Sequence, residues 1–234
     1  MNRRFRFKQF DIDDSGAAMK VGTDAVLLGC MANAPSPKNI LDIGTGSGVI
    51  AVQLAQRFQD AQVVALDLDP AAAAQARQNF ENTAWQERLL AQEADFLSWH
   101  SAPIFDLLVC NPPFYPNSFP IGNPQREMAR VQGMLTFEAL AFKAWQVSSN
   151  DASFWTILPH HLQPSMEKAM LAAGWLGCHE IEIIPVEGKS ANRTVSGWSK
   201  RAGILKKSSL SIRDQQQRYT AEYLKLTHAF YLFA

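Results

Sequence analysis

The sequence predicts an α/β protein: a seven-stranded, mostly parallel sheet, helices on both faces, and an antiparallel last strand. Three observations carry this. Short apolar runs alternate with helical stretches, the pattern of strands joined by crossover helices. The first of these runs ends in a glycine-rich turn at 44–48 that opens a helix. The last apolar run, 223–233, alternates like a strand but follows a long segment with no convincing helix in it. A parallel strand needs a long crossover connection, so an antiparallel strand inserted beside the one near 152–158 fits better.

The elements follow in order. Residues 24–32 (DAVLLGCMA) make a short helix for which Thr23 or Asp24 is a natural cap. Residues 39–43 (NILDI) form the first buried strand, and 48–58 carry apolar residues at helical spacing. Residues 62–67 (QVVALD) are the second strand. Pro70 opens an Ala-rich helix that runs to Asn82, as a proline in the first turn does. A weaker strand at 88–92 precedes a strong one at 104–110. A helix over 131–149 and a strand over 152–158, stopped by Pro159, follow. A helix over 163–173 ends at Gly174, and 178–186 and 223–233 are the last two strands. There is no internal repeat and no low-complexity linker. The reading is one domain over 1–234, with residues 1–30 as an appendage ahead of the first strand.

Composition excludes several classes. The 22 basic and 22 acidic side chains cancel, and with 47% hydrophobic and 19% charged residues the chain is neither disordered nor a strongly basic coat. Cys30, Cys110 and Cys178 stand far apart, an odd number without a CxxC pair, so neither a disulfide framework nor a structural zinc site is expected. The five histidines have no ligand spacing, and no metal is called for. The opening MNRRFRFK looks like the start of a signal peptide, but the polar QFDIDDSG replaces the apolar stretch one would need. No run of eighteen apolar residues is present. The expectation is a cytoplasmic protein with no membrane contact and no obligate protein partner. The charge is uneven: within 186–218 there are eight basic residues against Glu187 and Asp214. Such a local excess suits a polyanion or is a solvated surface.

The chemistry starts at Asp42-Ile43-Gly44-Thr45-Gly46-Ser47-Gly48. Glycines there let the chain turn sharply and let a ligand approach the backbone, and the helix beyond offers free N–H groups. Asp67 ends the next strand, where a carboxylate can accept two hydrogen bonds from a ribose diol. A dinucleotide fingerprint requires a glycine where Val49 stands. Asp42 would repel a pyrophosphate but suits a cationic amino group. These residues imply an adenosine-type ligand at the carboxyl edge of the sheet.

Cys110-Asn111-Pro112-Pro113-Phe114 follows the strong strand, at the same edge. The Asn111 side-chain oxygen and the Pro112 carbonyl make a pair of acceptors for a flat –NH2 group, and Phe114 offers a ring to stack on a base. An Asn-Pro turn without chemistry is the plainer reading of this stretch taken alone.

Taken together, Asp42–Gly48, Asp67, Asp95 and Asn111–Phe114 resemble the class I S-adenosylmethionine-dependent N-methyltransferases. The segments Lys20–Gly29 and Tyr219–His228 resemble, more narrowly, the bacterial tRNA1(Val) adenine-37 N6-methyltransferase family. The resemblance implies a Rossmann-like class I methyltransferase fold, S-adenosyl-L-methionine as cofactor, and a tRNA anticodon loop as partner. It implies that Asp42 and Gly44, Gly46 and Gly48 surround the methionine part of the cofactor. Asp67 would hold its ribose, Asp95 its adenine amine with Phe96 beside the ring. Lys20 and Thr23, in the appendage over the cofactor site, complete the set with Asn111. Asn111, Pro112 and Phe114 would be catalytic. The chain departs from the family where Val195-Ser-Gly-Trp198 interrupts the basic residues after the sixth strand.

Adenine N6 is a poor nucleophile because its lone pair is delocalised. Two acceptors that favour a pyramidal nitrogen and aim it in line would supply much of the acceleration, with no strong base before attack. Four other readings remain open. A protein-glutamine methyltransferase shares the Asn-Pro-Pro core but its relatives carry an N-terminal helical domain. A DNA-adenine enzyme usually has a target-recognition domain. A noncatalytic scaffold has no use for Asn111–Phe114, and a dehydrogenase lacks its last glycine.

Overall fold

The computed structural model describes residues 4–15, 20–100, 104–112 and 135–234. A hairpin of β1 (Arg4–Arg6) and β2 (Asp11–Asp13) comes first, then α1 (Thr23–Met31). β3 (Asn39–Ile43), α2 (Val49–Arg57), β4 (Gln62–Asp67), α3 (Pro70–Glu81), β5 (Leu89–Glu93) and β6 (Phe105–Cys110) alternate as read. Next come α4 (Phe137–Val147), β7 (Ser148–Pro159), α5 (Gln163–Ala172) and β8 (Leu176–Val186). β9 (Arg193–Ser199), β10 (Lys206–Arg213) and α6 (Ala221–Thr227) close the chain.

Among the described residues the main sheet has eight strands in the order β10-β8-β9-β7-β6-β3-β4-β5. β9 runs antiparallel to β7 and β8; every other neighbouring pair is parallel. The mostly parallel sheet is therefore as read, and an antiparallel strand does sit beside β7. Its identity is not as read. The antiparallel strand is Arg193–Ser199 rather than 223–233, and β10 adds an eighth strand at the edge. Residues 221–227 are helical, and the residues after them form turns. The alternation there serves aromatic packing: Phe233 stacks between Tyr219 and Tyr231 at 4.8 and 4.7 Å.

The central strands are buried on both faces because successive side chains enter different clusters. In β6, Leu107 and Val109 join α1, α2 and the hairpin, while Leu108 and Cys110 join α4 and α5. α3 begins where Pro70 follows Asp69, whose carboxylate accepts the Ala71 N–H at 2.9 Å. Such a cap contributes about 1 kcal/mol. α1 starts without a side-chain cap; Asp24, in its first turn, instead pairs with Arg193 of β9 (2.8 Å). No helix among the described residues is long and apolar enough to cross a membrane.

Candidate active site at the carboxyl edge of the sheet

Register brings the chemistry-bearing residues to one edge. Ile43, the end of β3, lies opposite Leu66 and Cys110, and Asp67 lies opposite Glu93. The glycine turn, Asp67, Asp95 and Asn111 thus leave adjacent strands at the same level.

The turn is built from left-handed glycines: φ is +73° at Gly44, +57° at Gly46 and +83° at Gly48. A side chain at any of them would be strained. At Gly44 and Gly46 a Cβ would meet nothing within 4 Å, so the turn leaves open space against its backbone. At Gly48 a Cβ would lie 2.5 Å from the Phe80 ring, so this glycine lets α2 pack on α3. The turn is fixed to β4 by the Gly44 and Thr45 N–H groups, both donating to the Leu66 carbonyl at 2.9 Å.

Three carboxylates organise this side. Asp42 is fully buried. Its Oδ2 accepts the Thr45 hydroxyl at 2.6 Å; its Oδ1 has no hydrogen-bond partner of normal geometry. Burial pushes its pKa up to about 7; the Asp67 charge pushes the same way, while the Thr45 hydroxyl and, more weakly, the Ala51 N–H oppose it. Asp67 accepts Gly46 N–H at Oδ2 (2.8 Å) and Asp69 N–H at Oδ1 (2.9 Å), which locks its carboxylate beside the turn. Asp95 is exposed and accepts Leu97 N–H (3.0 Å), while Phe96 is 5% exposed in the cluster of Ile43 and Leu66.

Across β3 from Asp67, Asn111 follows β6 directly. Its Oδ1 is buried without a hydrogen-bond partner among the described residues, and Pro112 beside it is buried too. An unsatisfied buried amide oxygen costs roughly 1–3 kcal/mol, so an acceptor held in this state is waiting for a donor. Phe114 lies outside the described residues. Cys110 is fully buried, and burial pushes its thiol well above the usual range, so it is no nucleophile.

The structure ties the N-terminal segment to the turn through a residue that the sequence reading passed over. The Asn79 amide donates to the Asp13 carbonyl and to the Ser47 carbonyl, both at 2.8 Å, and accepts the Asp13 N–H at 3.0 Å. The signal was there: Asn79 falls on the buried stripe of α3 with Ala72 and Ala76, where a polar residue needs a partner. Lys20 is engaged by Asp14, donating to its carbonyl at 2.7 Å, and Thr23 is exposed at the start of α1. Asp42 Oδ1, Asn111 Oδ1 and the open space at Gly44 and Gly46 together fit an adenosine ligand bearing an ammonium group on one side and an amine-bearing substrate on the other.

Comparison with known proteins gives the fold and the family. The family model "Methyltransferase small domain" matches residues 15–123. Among solved structures, a predicted O-methyltransferase of Agrobacterium tumefaciens superposes with TM-score 0.71 at 20% identity, covering 88% of this chain and 96% of that one. The N-methyltransferase NodS of Bradyrhizobium japonicum, in complex with S-adenosyl-L-homocysteine, gives TM-score 0.54 at 14% identity over 76% and 84% of the two chains. These likenesses show the Rossmann-like class I methyltransferase fold. The tRNA1(Val) (adenine(37)-N6)-methyltransferase of Enterobacter sp. strain 638 is 39% identical over 98% of this chain and 95% of its own. Its namesakes in Escherichia coli O1:K1 and Salmonella enteritidis are each 37% identical over the same shares. With that identity along nearly its whole length, the chain belongs to the tRNA1(Val) (adenine(37)-N6)-methyltransferase family.

Proposed function

We propose that this protein transfers a methyl group from S-adenosyl-L-methionine to N6 of adenosine 37 in the anticodon loop of valine tRNA. The observation that carries the reading is the buried Asn111 Oδ1, without a partner among the described residues and held one strand from the glycine turn. Family membership supplies the substrate.

The cofactor supplies a methyl group on a sulfonium, already a strong electrophile, so the chain's own task is placement. Asp67 would hold the ribose hydroxyls. Asp95 would take the adenine amine, with Phe96 beside the ring. Gly44, Gly46 and Gly48 would give the methionine part a surface without side chains, and Asp42 would supply a carboxylate for its ammonium. Lys20 and Thr23 belong to the segment 1–30, which Asn79 straps to the turn and which covers the cofactor site of a single 1–234 domain.

On the substrate side, Asn111 Oδ1 and the Pro112 carbonyl would each accept a hydrogen bond from one N6–H and turn the lone pair toward the methyl, while Phe114 would stack on the base. A loop base turned out of its stack reaches this clamp at lower cost than a paired one. As the N6–methyl bond forms and the sulfur–methyl bond breaks, the cofactor would be left as its neutral thioether and N6 as a cation, which would lose its proton to water. A tRNA-modifying role places the protein in the cytoplasm.

The test is incubation with labelled S-adenosyl-L-methionine and separated tRNA, rRNA, DNA and protein, followed by nucleoside mass analysis. N6-methyladenosine in the tRNA fraction is the expected product. Label confined to protein glutamine would keep the amide clamp and remove the substrate.

A further inference from the structure

The eight basic residues of 186–218 do not form one patch, because the strands that carry them point their ends in opposite directions. Lys200, Arg201, Lys206 and Lys207 lie where β9 ends and β10 begins, at the amino edge of the sheet. Most of them are engaged there. Lys200 donates to the Trp145 and Ser148 carbonyls at 2.8 Å, Arg201 pairs with Asp151, and Lys207 pairs with Glu180. Lys189, Arg193, Arg213 and Arg218 lie at the carboxyl edge, where β8 and β10 end and β9 begins. His160 and His161, just past β7, share that edge and are exposed.

The carboxyl edge is itself polarised about Asn111. On the cofactor side, residues 67–69 and 93–95 hold the four carboxylates of Asp67, Asp69, Glu93 and Asp95 and no cation. On the other side Lys189, Arg193, Arg213 and Arg218 stand over β9, β8 and β10, with Glu187 and Asp214 as the carboxylates of the same turns; Arg218 pairs with Asp214, Arg193 with Asp24, and Arg213 lies over the Tyr219 ring, so Lys189 is the least engaged of the four. With strands about 4.8 Å apart, Arg193 leaves the sheet about 10 Å from the strand of Asn111, and the β8–β9 turn carrying Lys189 lies about 10–15 Å away.

We infer that the anticodon arm crosses the carboxyl edge over β7, β9 and β8, with its phosphates held by Lys189 and Arg193, and that the amino-edge lysines take no part. This rests on the RNA reading above. A target base clamped at Asn111 has its flanking phosphates at this edge, the carboxylates repel them from one side, and the cations of the other draw them across. Arg193 is oriented by Asp24, which accepts its Nε–H at 2.8 Å. Lys189 is exposed and has no ion pair among the described residues.

The test is a salt titration of binding to an unmodified valine tRNA transcript with three variants of the full chain. Lys189→Gln removes one carboxyl-edge charge, Lys189→Gln with Arg193→Gln removes two, and Lys206→Gln with Lys207→Gln removes two from the amino edge. Each lost phosphate contact lowers the slope of log affinity against log salt by about 0.7–0.9. The single variant is therefore expected to lose about 0.7–0.9 and the carboxyl-edge pair about twice that. Cofactor binding by calorimetry should be unchanged in all three, and the amino-edge pair should keep the native slope. The single variant leaves the Asp24 pair intact and so keeps the test decisive if the double variant folds poorly. An unaltered slope in the carboxyl-edge variants, or an equal loss in the amino-edge pair, overturns the inference. Failure of the RNA reading shows separately, as native enzyme that puts no N6-methyladenosine into tRNA.

Discussion

The two halves of the carboxyl edge are made differently. On the side of β3, β4 and β5, the backbone does the work: left-handed glycines, N–H groups donated to Leu66, and carboxylates pinned by neighbouring amides. On the side of β6 and beyond, the work falls to a few side chains, one of them an amide oxygen with no partner. A site made of backbone is broken by changes of shape, and one made of side chains by changes of chemistry. Variants should therefore separate into those that lose the fold or the cofactor and those that lose only turnover.

Gly48→Ala should do the most damage. It places a Cβ 2.5 Å from the Phe80 ring at φ +83°. The left-handed strain and the overpacking add to about 2–5 kcal/mol of lost stability. Gly46→Ala, strained but with open space around it, should cost about 1–2 kcal/mol in folding while still obstructing the cofactor. Denaturant melts of the two variants side by side check the difference; equal losses would show that Phe80 gives way.

Asn111→Ala should leave stability and cofactor affinity near native and slow single-turnover methylation about a hundred- to thousandfold, some 2.7–4 kcal/mol. Normal turnover would mean that the amide is no clamp. Removing an unsatisfied buried oxygen should even raise the melting temperature slightly, an effect that no variant on the glycine side should share.

Much of this division was legible in the residues. Asp42, Gly44, Gly46, Gly48, Asp67 and Asn111 stand at strand ends because apolar runs stop there, and only glycine suits the left-handed turn. The C-terminal third was read less well, for physical reasons. β9 is buried from Thr194 to Trp198 yet is spelled Thr-Val-Ser-Gly-Trp, with Gly197 there because a Cβ would press on Trp155 at 2.9 Å. β10 begins Lys-Lys-Ser-Ser because its first half faces solvent at the edge of the sheet. Neither strand shows the apolar signature of a buried parallel strand, whereas the stacked aromatics of 219–233 imitate one.

Asp42 gives a pH test of the cofactor side. Its folded pKa, about 7, lies above the 3.8 of a free carboxyl, so the native state holds that proton more tightly than the unfolded chain. This group's contribution to stability therefore falls as pH rises from about 4 to about 7 and is flat above, with an upper bound of about 4 kcal/mol. Asp42→Asn should remove that slope, read as a difference between the two proteins' melts across pH. Cofactor binding, if it draws on the charged form, should release a proton near pH 7, visible as a buffer-dependent heat in calorimetry; no such release would separate Asp42 from the ammonium.

The most local expected effect is at the strap. Asn79→Ala loses three hydrogen bonds and leaves the Ser47 carbonyl short of a donor, for about 1–3 kcal/mol. Hydrogen exchange should quicken in residues 4–15 before the glycine turn loosens; unchanged protection there would show the hairpin to be held by its aromatic contacts alone.

Those contacts have a consequence for synthesis. Lys8 donates to the carbonyls of His228 and Ala234, both at 2.7 Å, and Phe7 stacks on Tyr231 at 5.9 Å. The hairpin that straps the glycine turn leaves the ribosome well before the residues that seat it. At about 5–20 residues per second, the 220 residues between Lys8 and His228 take about 10–45 s to synthesise. Through that interval the nascent chain carries its glycine turn without the seat for the strap, which is complete only once residues 228–234 have left the exit tunnel.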